Sequence, residues 1–515
     1  MRPFVIWLLV LAALLPSTLL FWMARDAPHL GYFQDDSLYL TSAKSIVEGN
    51  GYKIASLPGQ PYQTKYPPLF SLLLALIWKL DSSFPENLSK VMLLQWLLWV
   101  LYLAVVSLFV WKMPTLQMAT KVAVLVFVAT APAFVYLSLS IMPETLSASF
   151  ALLTIWLIGS ECRPTPWFAF LAGVCASAAF LAKTAALPLL IAVPLVLIWH
   201  KRSRTVILFA GPPLLTAGIW TTWVATHRYP SSDLNLLYYT DYIGFYLRTV
   251  SLRDLPLLFS VNLSALVENT GRLILFYPPA GASMKLVHIV LGLLVLLSTG
   301  LLLRKTRLPA LTLFAALYTA QCLFWNFPPN ERFLFPLLFL FVAGPFESLN
   351  QWLGRLRQVK LGERIWLTCV SGLVVWSLLQ TWSYVNALFP ELRRGRDRLA
   401  CASQWVDTNI PPGQRFLAYR DVDLFLYTGR RGIRMVPLPP PYYRSDRAEA
   451  EKVLWRMPAY ARSAGLSYML WDQLDYPNDP YLGDNQTRES VLSRLSGVVL
   501  EREICGMRIY RFSAP

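Results

Sequence analysis

Charge is scarce in this sequence. Asp, Glu, Lys and Arg make up 15% of 515 residues, where soluble domains carry about a quarter. With 55% hydrophobic residues and a mean hydropathy of +0.45, that deficit excludes an ordinary soluble enzyme, a disordered chain and a fibrous one. Cysteine is sparse as well. Cys162, Cys175, Cys322, Cys369, Cys401 and Cys505 are scattered with no CxxC among them, so neither a zinc site nor a redox motif is indicated. Histidine occurs four times and never after residue 390, which excludes a Ser-His-Asp set there. That stretch also lacks a GxGxxG and a P-loop. No repeat of 20–50 residues runs through the chain, and no matching pair of broken helices divides it into halves, as many transporters would show.

What the sequence does have is apolar length. A spanning helix needs about 20 apolar residues. Candidate spans fall near 4–22, 88–110, 117–136, 144–160, 166–182, 185–199, 205–225, 286–303, 309–326, 333–352 and 365–388, eleven in all. The first also reads as a signal peptide, but no small-residue cleavage site follows it, so it is taken as a retained anchor. The net charge is +16. Its basic residues cluster in alternate short connections, such as Lys201-Arg202-Ser203-Arg204 and Arg304-Lys305-Thr306-Arg307. That is the positive-inside pattern, not a nucleic-acid groove. The expected protein is a multi-pass chain of the plasma (inner) membrane, with a cytoplasmic N-terminus and an extracytoplasmic C-terminus.

Acidic residues divide the chain. Half of the 30 lie in residues 1–390 and half in 391–515. The first stretch is therefore expected as a polytopic helical membrane domain with two long outer loops, 23–87 and 226–285. The second is expected as a soluble extracytoplasmic α/β domain. Its strands are expected near 415–420, 433–436, 467–471, 497–504 and 506–512, with helices near 446–464 and 487–495. Cys401 and Cys505 both fall in it, and whether they pair is left open. Asn87, Asn262 and Asn485 begin N-x-[ST] triplets, at a frequency chance explains.

The first long loop holds the chemistry. Asp35 and Asp36 open a helical pattern in which Leu40, Ala43 and Val47 share a face, and Gly49-Asn50-Gly51 stops it. This reads as an amphipathic helix lying along the membrane surface. Asp35 is either an N-cap or a functional carboxylate. Further on, Lys65-Tyr66-Pro67-Pro68-Leu69 opens an apolar run too short to span, expected to be re-entrant or interfacial. Lys65 snorkels there or binds a ligand. In the second loop, Tyr238, Tyr239 and Tyr242 read as an interfacial aromatic belt or as a cradle for a lipid headgroup or sugar, with Arg248, Arg253 and Tyr277-Pro278-Pro279 nearby.

These motifs in this order resemble the GT-C membrane glycosyltransferases. The similar group contains the dolichyl-phosphate-mannose protein mannosyltransferases and the lipid A aminoarabinose transferase. The resemblance lies in Asp35-Asp36-x-x-Tyr39 with Ala43 and Gly49, then Lys65-Tyr66-Pro67-Pro68-Leu69. Met142-Pro143-Glu144 and Asn330-Glu331-Arg332-Phe333-Leu334-Phe335-Pro336 extend it. Here Asp36 stands where the family often has Glu, and Tyr66 separates Lys65 from the prolines.

The resemblance implies transfer of a sugar from a polyprenyl-phosphate donor to an acceptor hydroxyl of a protein, lipid or glycan, with inversion. Besides these substrates, the implied partners are membrane lipids. Asp35 is implied as the general base, with Asp36 either tuning it or a plain surface acid. Tyr39, Lys65, Tyr66, Glu144, Lys183 and Arg332 are implied to bind substrate. Lys183 alternatively snorkels, Arg332 alternatively pairs with Glu331, and Glu144 alternatively is a solvated helix-start acid. A divalent cation is left open. A transporter or flippase of lipid-linked sugars is the alternative function.

Overall fold

The computed structural model describes residues 14–23, 25, 30, 31, 33–159, 164–276, 281–355, 359–473, 475, 476, 479, 481, 482 and 485–512. Most of the first expected span and all of Tyr277-Pro278-Pro279 lie outside them. The chain divides into two compact units. A helical unit comprises Met1–Arg25, Met92–Thr222 and Leu258–Phe389, and a mixed unit comprises Asp26–Val91, Trp223–Leu257 and Pro390–Pro515. Residues 26–91 and 223–257, expected as loops of the membrane domain, thus group with the C-terminal segment. The physical reason is a shared core: Leu38, Ile54, Leu57 and Tyr239 are buried with Leu417, Val422, Ile433 and Trp471.

In the helical unit, apolar helices follow the expected runs, and the fold is that of a multi-pass membrane protein. Five helices among the described residues are long and apolar enough to cross a membrane, or seven if each of two bent pairs is one span. The expected eleven are not reached on length, because Glu144–Ile158, Pro166–Ala182, Thr184–Trp199 and Pro309–Leu323 are shorter apolar helices. One bent pair was not foreseen: Tyr242–Thr249 with Leu252–Ile274, at 78°. Its polar residues hide it from a hydropathy reading. One of them, Asn262, donates its side-chain N–H to the Leu323 and Trp325 carbonyls at 3.0 and 2.6 Å.

Close helix packing has a visible cause here. A Cβ on Gly271 would meet the His288 carbonyl oxygen at 1.9 Å, and one on Gly292 the Val267 oxygen at 1.8 Å. Helices Leu255–Ile274 and Gly281–Lys305 therefore touch backbone to backbone, as small residues allow inside membranes. Trp99, Tyr102 and Phe335 stack at the centre of the unit, with Tyr102 and Phe335 centroids 4.6 Å apart. Such rings bury large area without an unsatisfied backbone group.

The mixed unit is built on a five-stranded sheet. Its strands are β1 (Phe416–Ala418), β2 (Gly432–Ile433), β3 (Tyr468–Asp472), β4 (Val498–Ile504) and β5 (Met507–Phe512). The order is β2-β1-β3-β5-β4. The β1 pairings are parallel, and β3-β5 and β4-β5 are antiparallel. Cys505 and Gly506 make the two-residue hairpin turn, both with positive φ, as a type I′ turn demands. Cys505 is bonded to Cys401 in the last part of helix Val359–Asn409, with Cα atoms 6.3 Å apart.

Three helices of this unit position the site: α1 (Asp35–Val47), α2 (Pro68–Leu80) and α3 (Asp421–Thr428). Pro68 starts α2, where its missing N–H costs nothing. Phe70, Leu74 and Trp78 of α2 are buried, while Leu72, Leu76 and Leu80 stand 46%, 60% and 79% exposed. That leaves an apolar stripe at four-residue spacing. Helix α1 departs from expectation. It is not a surface helix, because Asp35 to Ala43 are all buried. Its faces are covered by packing partners that a periodicity reading of the loop alone does not contain.

Candidate functional site

Helix α1 begins at Asp35, and its N-cap is Gln34 at φ 64°. The N-cap reading of Asp35 is thereby corrected. Gln34 turns its side chain outward from the helix, donating to the Tyr239 hydroxyl and to Asp421 Oδ1 at 3.3 Å. Asp35 is the first residue of the helix, and its Oδ1 accepts the phenol of Tyr66.

Tyr66 is carried by a short hairpin. Ile54 N–H donates to Pro61 O at 2.8 Å and Gln63 N–H to Tyr52 O at 2.9 Å. The Gln63 side-chain oxygen accepts from the backbone N–H of Lys65 and Tyr66 at 3.1 and 3.3 Å. The ring of Tyr39 lies 4.6 Å from that of Tyr66 and 5.2 Å from Phe70. Tyr39 is itself buried, so it backs Tyr66 and presents no face of its own to a ligand. Burial, then the neighbouring Asp35 carboxylate, push the Tyr66 phenol well above its ordinary value. It stays protonated and remains a donor at neutral pH.

The two adjacent acids differ sharply. Asp35 keeps 9% of its surface and Asp36 none. The surface-acid reading of Asp36 therefore falls. Its Oδ1 accepts from the Ser37 backbone N–H at 2.7 Å and from the Ser37 hydroxyl at 3.3 Å. Its buried Oδ2 has no hydrogen-bond partner among the described residues. Desolvation first, then the Asp423 and Asp35 carboxylates, raise its pKa to about 7. A carboxyl so placed holds a proton near neutrality.

Lys65 is enclosed by tyrosines rather than snorkelling. Its ammonium lies 3.9 Å from the ring centre of Tyr238 and 4.9 Å from those of Tyr66 and Tyr242. Such a cage stabilises a cation through the ring quadrupoles. The aromatic-belt reading of the second loop is corrected accordingly. Tyr238 and Tyr242 surround Lys65, and buried Tyr239 donates to Asp421 Oδ2 at 2.8 Å.

In the helical unit, a second cluster forms around Glu144. Lys183 donates to its Oε1 at 2.7 Å, and the Arg332 Nε donates to the same oxygen. All three side chains are largely buried, at 4%, 16% and 11% exposure. Lys183 is thus not a snorkelling residue, Arg332 pairs with Glu144, and Glu144 is not solvated. Local structure explains how they converge. Glu144 opens helix Glu144–Ile158 after Pro143, Lys183 ends helix Pro166–Ala182, and Asn330 caps the turn bearing Arg332. Two cationic side chains thus converge on one buried carboxylate. Two cations around Glu144 do not suit a metal. Among the described residues no group of three His, Cys, Asp or Glu side chains is placed to hold one.

Sequence reading missed Gln34, Arg420, Asp421 and Asp423. All are polar and buried or nearly so, but no local pattern marks them. The N-x-[ST] triplets at Asn87 and Asn262 are unsuited to a glycan, since both asparagines are fully buried. The Asn485 side chain lies outside the described residues.

The architecture is the GT-C fold of membrane glycosyltransferases, as the motif order led one to expect. No protein-family model and no curated protein matches the chain by sequence. Solved structures match it over its whole length. ArnT from Cupriavidus metallidurans bound to undecaprenyl phosphate superposes with a TM-score of 0.56 at 11% identity, covering 100% of both chains. The same protein in the apo state gives 0.51 at 10%, over 98% of this chain and 99% of that one. The oligosaccharyltransferase of Archaeoglobus fulgidus, tethered to an acceptor peptide containing the NVT sequon, gives 0.51 at 12%. It covers 100% of this chain and 74% of that one.

Proposed function

We propose that this protein is a glycosyltransferase that moves a sugar from a polyprenyl-phosphate donor to an acceptor hydroxyl on the extracytoplasmic face, with inversion. The observation that carries the reading is the pairing of Asp35 with Tyr66. It supplies a carboxylate at a helix start, oriented by a phenol that stays protonated. That carboxylate removes the acceptor proton as the sugar–phosphate bond breaks. The Tyr66 bond to Oδ1 fixes the direction of the carboxylate. Similarity to a fold found with undecaprenyl phosphate bound supports the lipid donor.

The leaving group is an anionic phosphate and requires cations. Lys65 in its tyrosine cage is one candidate, and Arg332 with Lys183 is the other. Arg suits bidentate phosphate contact and Lys point-charge contact. The exposed stripe of Leu72, Leu76 and Leu80 suits an interfacial position for α2, where a lipid tail stays in hydrocarbon.

The test is incubation of purified protein with polyprenyl-phosphate sugars of several kinds, following donor consumption. Asp35→Asn is expected to lower turnover at least about 100-fold while lipid binding persists. Near-normal turnover in that variant overturns the base assignment. Donor movement across vesicles without consumption would support a flippase instead.

A further inference from the structure

The turn leading into α1 is fastened to the start of α3 by four contacts. Arg420 Nη2 donates to the Leu30 carbonyl at 3.3 Å, and Gln34 donates to Asp421 Oδ1 at 3.3 Å. Ser37 donates its hydroxyl to Asp423 Oδ1, and Arg420 Nε holds Asp423 Oδ2 at 2.6 Å. The fourth contact is steric. A Cβ on Gly31 would lie 1.8 Å from Asp423 Oδ2, and Gly31 sits at φ +77°. Asp423 is 1% exposed and Asp421 is fully buried. Gln34, at φ 64°, is a strained position that persists only where surrounding contacts determine it.

Asp423 thus touches both sides of Asp35. It accepts from Ser37, whose N–H and hydroxyl also serve Asp36, and it presses against Gly31. The residue between these grips is the one whose carboxylate must point at the acceptor. We propose that Asp423, held by Arg420, is a positioning residue of the transfer reaction, fixing Gly31 and residues 33–37 so that Asp35 is aimed. The C-terminal segment is then a working part of the catalytic centre. This rests on the glycosyl-transfer reading above.

Asp423→Ala and Ser37→Ala separate positioning from folding. Misaiming a catalytic group by about 1 Å costs on the order of 100-fold in rate. The expected result is a fall in kcat of about 10- to 100-fold for each variant, with donor KM changed by less than about 3-fold. Asp423→Asn, which keeps an oxygen for Ser37, is expected to retain more activity than Asp423→Ala. The second readout is independent of activity: backbone hydrogen exchange of residues 33–40 is expected to accelerate in both alanine variants. The Asp423 carboxylate helps to raise the Asp36 pKa, so removing its charge is also expected to lower the Asp36 titration midpoint relative to wild type, followed by carboxyl carbon NMR.

If wild type consumes no donor, the transfer reading fails, while exchange and titration still judge whether Asp423 holds the turn. Unchanged kcat, or lost kcat with unchanged exchange at residues 33–40, overturns the proposal. Should Asp423→Ala not fold, Ser37→Ala deletes one hydroxyl and carries the same test.

Discussion

The Tyr66 hydroxyl donates to Oδ1 of Asp35 across 31 positions of chain. It joins the helix that bears the first acid to the hairpin that precedes Pro67-Pro68. Tyr66 is the residue that separates Lys65 from Pro67-Pro68. Its interposition gives the carboxylate a neutral donor and sends Lys65 into the tyrosine cage.

Tyr66→Phe should therefore lower kcat with little effect on donor KM. A hydrogen bond to a charged acceptor is worth about 1.5–3 kcal/mol, which sets a fall of roughly 10- to 100-fold. The ring contacts with Tyr39 persist in phenylalanine, so the loss of thermal stability should not exceed the about 1.5–3 kcal/mol of that one bond. Steady-state kinetics beside a melting curve check both parts.

Stability should depend on pH through Asp36. Its carboxyl ionises near 3.8 when unfolded and near 7 when folded. The folded state thus binds the extra proton between those values. Stability is greatest below the lower value and is lost as pH rises through the upper one. Asp421, raised to about 7 chiefly by burial, acts in the same direction. The Asp36 part is on the order of 4 kcal/mol across the whole window. Melting temperature should rise from about pH 8 to about pH 5, and Asp36→Asn should flatten that rise.

Glu144→Gln should destabilise the helical unit. It removes the anion between Lys183 and Arg332 and leaves two cations facing a neutral amide. Breaking a buried pair on one side costs about 3–5 kcal/mol. The double variant Glu144→Gln with Lys183→Met should recover part of the loss. Thermal unfolding in detergent, read by tryptophan fluorescence, measures each.

The Cys401–Cys505 bond closes a sequence separation of 104 residues. Replacing both by serine should cost about 2–4 kcal/mol, mostly through the freer unfolded chain. Chemical denaturation of both forms gives the difference, and a mobility shift on reduction verifies the bond in the native protein.

Much of the framework is readable one residue at a time. Strands at 416–418, 468–472, 498–504 and 507–512 fall where alternation and turn residues place them. Helix α2 begins at the expected proline. Asp35 and Tyr66 are both conspicuous, but nothing in the sequence says that they meet. The surface reading of α1 fails because periodicity reports which face is apolar, not whether the polar face will be covered. Ser37, Thr41 and Ser42 are fully or almost fully buried on a helix whose composition suggests an exposed side.

The sequence by itself determined the solvents. Long uncharged runs can only be stable in hydrocarbon or a core, and the acid-rich last quarter needs water. Those are properties of short windows, and any chain with these windows would share them. Only the tertiary structure decided the partners: Glu144 with Lys183 and Arg332, Lys65 with Tyr238 and Tyr242, Asp423 with Ser37. A buried charge or polar group costs several kcal/mol until it is satisfied. Which residue satisfies it depends on how distant segments pack, and one unaligned sequence carries no local trace of that choice.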